Sequence, residues 1–158
     1  MELLDYVEAA AKDNAAFHLG NADVLARESN TLLNILLAGA GGSLAYLITL
    51  LDKGSALWMK AGVASIALYL FLVAALLLLK CLYIRPFFPA TNEPKNLMAP
   101  EYPLESIRRV ELQNRQACID ANRDRNDTVG MWLNRCRALA TATPIVFAVV
   151  SLAVLVVD

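Results

Sequence analysis

Residues 31–51, TLLNILLAGAGGSLAYLITLL, decide the fold: this stretch contains no Asp, Glu, Lys, Arg or His. Two further uncharged blocks, 61–79 and 138–157, have a similar length. A helix of about 20 mainly apolar residues crosses the roughly 30 Å hydrocarbon core of a bilayer. The sequence therefore predicts an all-α membrane protein with three transmembrane helices.

The composition supports this class. Of the 158 residues, 58% are hydrophobic and 18% are charged, and the net charge is −1. An average soluble domain has about 25% charged residues, and a nucleic-acid binder carries a basic excess. These values disfavour a nucleic-acid partner. The alternative of three buried helices in a soluble bundle is disfavoured because such helices rarely run this long without a charge.

The distribution of Lys and Arg predicts the orientation. Only Lys53 and Lys60 lie between the first two blocks. Cytoplasmic loops carry the excess of Lys and Arg, so we expect a cytoplasmic N-terminus and an outer C-terminus. The other twelve Lys and Arg residues lie on the predicted cytoplasmic side: Lys12, Arg27, Lys80, Arg85, Lys95, Arg108, Arg109, Arg115, Arg123, Arg125, Arg135 and Arg137.

The chain divides into segments of different character, with long cytoplasmic helical extensions beside the spans. The N-terminal segment is acidic and does not resemble a signal peptide, which begins basic. We expect residues 2–30 to continue into the first span as one long helix, or as two collinear helices that meet at Gly20–Asn21. A bend is expected at Gly130 and a kink at Pro144, where Thr141 and Thr143 can satisfy freed carbonyl groups. The segments are a cytoplasmic helix (1–30), a two-span hairpin (31–83), a Pro-rich interfacial linker (84–103), a cytoplasmic helix (104–137) and a third span (138–158).

Small and polar residues within the first two spans are the candidate helix-packing or pore residues. Small residues four apart let a second backbone approach closely, and hydroxyl and amide groups can line a water-filled pore. The spacing does not decide between packing within one protomer and packing between protomers. The candidates are Asn34, Ala38, Gly39, Gly42, Ser43, Thr49 and Ser65.

Charged residues outside the spans form the candidate cytoplasmic sensing surface: Asp23, Arg27, Arg123 and Arg125. The run 122–127 mixes Asn, Arg and Asp, which is typical of a solvated face with local ion pairs. Three Cys without a CxxC motif and a single His suggest no metal site, no cofactor and no catalytic group, so we expect a protein that is not an enzyme.

The order of these segments resembles the transmembrane effector domain of Pycsar antiphage systems, and more loosely the SLATT two-span effector domains. The resemblance runs from about residue 18 to the C-terminus. Its most specific part is the stretch NADVLARE at residues 21–28. Residues 122–137, which lead into the Ala-rich stretch 138–142, are similar to the family's long helix before its last span. The Arg85–Pro86 pair after the second span has the reverse of the family's order.

The resemblance implies a bacterial inner-membrane effector that oligomerises and disrupts the membrane when phage infection is sensed. Family members carry, or are paired with, a nucleotide-signalling component. This chain leaves no length for a fused sensor, which argues against direct binding of a cyclic nucleotide. We expect the bilayer and further copies of the chain as partners, with a separate cytoplasmic sensor or nucleotide signal. Two other hypotheses stay open: a non-catalytic membrane anchor or accessory subunit, and a holin-like phage protein.

Overall fold

The computed structural model describes residues 3–83, 88–89, 92, 94–98 and 101–157, and within these ranges all regular structure is helical. This confirms the all-α prediction. The elements are α1 (Leu3–Asp52), α2 (Leu57–Leu77) with a π-helical turn (Leu78–Leu82), α3 (Pro94–Leu97), α4 (Leu104–Thr141) and α5 (Thr143–Val157).

Two helical segments, Leu3–Asp52 and Leu57–Leu82, are long and apolar enough to cross a membrane. A third candidate span exists if α4 and α5, which are bent by 43° relative to each other, are taken together. The chain thus has the length and composition of a membrane protein with two or three spans.

The structure has one long N-terminal helix, the first of the two forms expected from the sequence. Helix α1 continues through Gly20 and Asn21 as one element of 50 residues, because the flanking residues are good helix formers and the cost of a single glycine is only about 1 kcal/mol. Helix α1 ends at Asp52, before a turn in which Gly54 has a φ of 63°. The amides of Gly54 and Ser55 bond to Leu51 O (3.3 Å) and Leu50 O (3.2 Å), a Schellman ending.

The linker predictions are tested only in part. Arg85, Pro86 and Phe87 lie outside the described residues. The proline density of this linker predicts no regular helix, but the structure has the four-residue helix α3, which begins at Pro94. Proline is tolerated in the first helical turn because its missing N–H group would have no intrahelical partner there. Proline density therefore excludes a long helix but not a single turn.

The chain forms two compact units, and both α1 and α4 contribute residues to each. The polar unit comprises Met1–Leu25 and Ile84–Val129. The apolar unit comprises Ala26–Tyr83 and Gly130–Asp158. Within the apolar unit, α2 packs along α5.

The break between α4 and α5 lies at Ala142, and α4 continues as a helix through Gly130. Pro144 has no N–H group to donate to Ala140 O. The Thr143 hydroxyl donates to that oxygen at 2.7 Å, and the Thr141 hydroxyl donates to Ala138 O at 2.8 Å. The predicted compensation by the two threonines is confirmed.

Buried positions of α4 follow a three-and-four spacing: Ile119, Asn122, Asn126, Val129, Leu133 and Cys136. The expectation that the run 122–127 forms a solvated face is therefore wrong for its two asparagines. Asn122 Nδ2 donates to Phe88 O (2.9 Å) and Oδ1 accepts from Phe88 N (3.3 Å). Asn126 Nδ2 donates to His18 O at 2.8 Å. Buried amides stay in the core because they satisfy backbone groups.

Candidate functional site

The candidate residues of the first span divide between two sides of α1. Gly39 and Ser43 are half-buried on the same side as buried Leu36 and Ala40. The opposite side, which we call the open face of α1, consists of exposed residues at helical spacing: Asn34, Ala38, Gly41, Gly42, Ala45 and Thr49. The two small-residue pairs predicted from the sequence thus have different environments: Gly39–Ser43 faces the protein interior and Ala38–Gly42 is exposed.

The packed side of α1 lies against α2. A Cβ atom added at Gly39 would be 2.9 Å from Leu70 Cδ1, so the helices approach closely here because residue 39 has no side chain. The Ser43 hydroxyl donates to Gly39 O at 2.8 Å. Along this contact runs a groove of about 490 Å³, lined by Gly39, Gly42, Ser43, Tyr46, Val63, Ile66 and Phe147.

The open face of α1 is exposed, and at its edge Gly42 also lines the groove described above. A Cβ atom added at Gly41 or Gly42 would meet nothing within 4 Å. The Thr49 hydroxyl donates to Ala45 O (3.3 Å). Among the described residues the Asn34 side chain has no hydrogen-bond partner, and it is exposed. This face therefore carries an unpaired amide at one end and a flat, small-residue surface along its length.

The second span contains a tighter contact that sequence analysis missed. A Cβ atom added at Gly62 would overlap Ser151 Oγ and would be 2.6 Å from Phe147 Cε2, both on α5. Ser65, a candidate pore residue, donates its hydroxyl to Gly62 O at 2.7 Å. The available signal for a close crossing was Gly62, the only glycine in the block 61–79, together with Ser151 in the third block.

The candidate sensing residues are divided between the units. Asp23, Arg123 and Arg125 belong to the polar unit and Arg27 to the apolar unit. Arg123 lies 3.9 Å from Asp120 on the same helix, with both side chains about half exposed. Asp23, Arg27 and Arg125 also have interaction partners.

A stronger charged cluster in the polar unit joins the start of α1 to the start of α4. Arg108 donates from Nε to Glu8 Oε1 (2.6 Å) and from Nη2 to Glu8 Oε2 (2.9 Å) and Asp5 Oδ1 (2.6 Å). The hydrogen bond from Arg108 lowers the pKa of Glu8 below its ordinary value, and the two carboxylates raise the pKa of Arg108. Paired hydrogen bonds from one guanidinium fix orientation as well as charge.

Two candidate hydroxyl groups of the spans bond to the backbone. Ser43 and Ser65 both donate to carbonyl groups of their own helices. Within the described ranges no three His, Cys, Asp or Glu side chains are close enough to hold a metal ion. His18 is buried in the polar unit and has an edge-on contact with Phe17. The arrangement thus offers helix-packing surfaces and charged contacts.

Comparison with known proteins gives no match: no family model, no curated protein and no solved structure is significantly similar to this chain.

Proposed function

We propose that this protein is a membrane effector of bacterial antiphage defence, which oligomerises in the inner membrane and permeabilises it. The observation that supports oligomerisation is the open face of α1. An amide exposed to hydrocarbon without a hydrogen-bond partner costs free energy, and in membrane proteins such groups bond across helices. A second copy of α1 could approach closely along Ala38, Gly41 and Gly42, because no side chain beyond Cβ separates the backbones.

The proposed action is a leak through the assembled spans. Hydroxyl and amide groups on the open face, Asn34 and Thr49, would contribute the polar lining, and the apolar residues between them would restrict flow. The resemblance to Pycsar effectors, together with the exposed small-residue surface of α1, supports permeabilisation over turnover of a substrate. In this proposal the N-terminus and residues 80–137 are cytoplasmic and receive the signal.

A second candidate function is a membrane anchor for a cytoplasmic protein. Its supporting observation is apolar surface in the polar unit: Leu3 is 79% exposed and Leu104 is 71% exposed, beside a groove that also contains Leu4 and Val7. Exposed apolar patches on an extramembrane surface mark sites of protein interaction.

Two substitutions to leucine test the oligomer. Gly42→Leu adds bulk on the open face, and Ala153→Leu adds similar bulk at an exposed position of α5. We expect Gly42→Leu to abolish chemically cross-linked oligomers in membranes and to abolish toxicity, and Ala153→Leu to preserve both. If Gly42→Leu retains both oligomers and toxicity, the open face contacts lipid and the proposal fails.

A potential-sensitive dye in cells that express the protein tests the leak. We expect loss of membrane potential within minutes and before lysis. Asn34→Leu should change the rate of this loss more than Ser65→Ala, because the Ser65 hydroxyl already donates to Gly62 O. An unchanged potential at full expression would contradict permeabilisation and favour the anchor function.

A further inference from the structure

Two cations in the apolar unit gather at one aromatic ring. Lys80 Nζ lies 5.1 Å from the centre of the Trp132 ring, and Arg135 Cζ lies 4.9 Å from it. The two charges therefore lie within about 10 Å of each other and repel. Trp132 and Arg135 are three positions apart on α4 and so share a face, whereas Lys80 lies in the π-helical turn after α2. Such turns are often found at functional sites.

The positive charge of this pair is not neutralised by the described residues. Neither Lys80 nor Arg135 has an ion pair with a carboxylate there, although Arg137, two positions away, pairs with Glu28. The end of α2 offers Lys80 only a partial negative charge, on the order of half an elementary charge. Cation–π contact orients the two side chains but leaves their net charge in place. An anion bound beside both cations would reduce their mutual repulsion.

The position of the cluster indicates which anion it meets. Lys80 directly follows the uncharged block 61–79, and Arg135 lies just before the uncharged block 138–157. If these blocks cross a bilayer, both cations lie at the headgroup level, where Trp side chains are also enriched. Leu78 and Leu79, next to Lys80, are 45% and 64% exposed and can contact acyl chains.

We propose that Lys80, Trp132 and Arg135 form a binding site for the phosphate group of an anionic phospholipid. Basic pockets beside transmembrane helices recognise such headgroups. This inference requires only that α2 and α5 lie in a bilayer. It is independent of oligomerisation and of the leak. The lipid site can therefore fail while the proposed function stands, and the proposed function can fail while the lipid site stands.

Quenching of Trp132 fluorescence tests the site directly. The chain has two Trp, and Trp58→Phe leaves Trp132 as the only indole. The full chain is reconstituted in phosphatidylcholine bilayers that contain a minority of either dibrominated phosphatidylglycerol or dibrominated phosphatidylcholine. We expect stronger quenching by the anionic lipid. Lys80→Gln and Arg135→Gln should each lower its relative association constant about fivefold, the contribution of one cation at an anionic surface.

Matched controls separate the site from general charge effects. The double variant Lys53→Gln/Lys60→Gln removes the two cations between the first two uncharged blocks and should leave the preference of Trp132 for the anionic lipid unchanged. Lys80→Arg should retain it. Equal quenching by the two brominated lipids in the Trp58→Phe protein overturns the proposal without any further variant. The proposal is also overturned if the double variant Lys80→Gln/Arg135→Gln keeps its helical structure and Trp132 still prefers the anionic lipid.

A competition experiment shows whether the site binds the phosphate group of a lipid or a soluble phosphate ion. Inorganic phosphate is added to the bilayers that contain the brominated anionic lipid, with sodium chloride of equal ionic strength as the reference. For a headgroup site, the two salts should reduce quenching equally. Displacement by phosphate beyond that of chloride would assign the cations to a soluble phosphate and overturn the lipid site.

Discussion

The hydroxyl of Tyr69 on α2 donates a 2.9 Å hydrogen bond to the carbonyl oxygen of Leu139, 70 residues further along the chain. Leu139 lies between Ala138 and Ala140, whose carbonyl groups accept from Thr141 and Thr143. Three consecutive carbonyls before the bend at Ala142 thus receive side-chain hydroxyl groups. Backbone groups in hydrocarbon must be satisfied by the protein, and the hydroxyls make this bend compatible with a membrane span.

Removal of the Tyr69 hydroxyl should weaken this bend. We expect Tyr69→Phe to lower the free energy of unfolding in mixed micelles by about 0.6 kcal/mol, the average for a hydrogen bond between membrane helices. Tyr46→Phe is the matched control, since Tyr46 has no hydrogen bond among the described residues and should change stability less. Equal effects of the two variants would show that the Tyr69 bond contributes nothing specific.

A pair of alanine substitutions measures the close crossing of α2 and α5. Gly62→Ala places a methyl group against Ser151 and Phe147, so we expect a loss of about 1–3 kcal/mol in the free energy of unfolding. Gly41→Ala meets no atom within 4 Å and should be neutral or slightly stabilising, because alanine favours the helix. Denaturation in mixed micelles compares the two. If Gly62→Ala is as stable as Gly41→Ala, the crossing is looser than described.

Acid should weaken the Arg108 cluster. The pKa of Glu8 is lowered in the folded state, chiefly by its hydrogen bonds with Arg108. The pair therefore stabilises the fold above the ordinary Glu value of about 4.3, and this stabilisation is lost as the pH falls from there through the folded-state pKa. The stability difference between wild type and Glu8→Gln should be present at neutral pH and should disappear in acid.

Chemical denaturation followed by circular dichroism at a series of pH values provides this comparison. Glu105→Gln is the control, because its ion pair with Arg109 joins two side chains that are 65% and 70% exposed. Such exposed pairs contribute little, so Glu105→Gln should have a smaller effect at neutral pH. A difference for Glu8→Gln that grows on acidification would contradict the assigned direction.

The orientation can be tested by labelling single cysteines with a membrane-impermeant maleimide in intact cells. Gly54 is unsuitable for a probe because its positive φ would strain any substitute, whereas Ala56 is exposed and has a φ of −54°. With Cys81, Cys118 and Cys136 replaced, we expect Ala56→Cys to be labelled from outside and Gln113→Cys only after permeabilisation. The reverse pattern would invert the proposed topology.

The sequence by itself determined the helical class, the uncharged blocks and the response of the chain to Pro144. These depend on composition and on local hydrogen bonding, since threonines next to a proline can reach freed carbonyls without any tertiary contact. The buried spacing of Asn122 and Asn126 was also present in the sequence as a three-and-four repeat with Ile119 and Val129, but their polar side chains favoured a solvated interpretation.

Only the tertiary structure decided which side of α1 is packed, because Gly39–Ser43 and Ala38–Gly42 have the same small-residue spacing. The difference arises from Leu70 on α2, which occupies the space above Gly39 and leaves Gly42 open. In the same way, Lys80 and Arg135 are distant in the sequence and meet only because both reach the ring of Trp132. Local patterns specify helices and their lengths, whereas the faces that meet depend on side chains from separate parts of the chain.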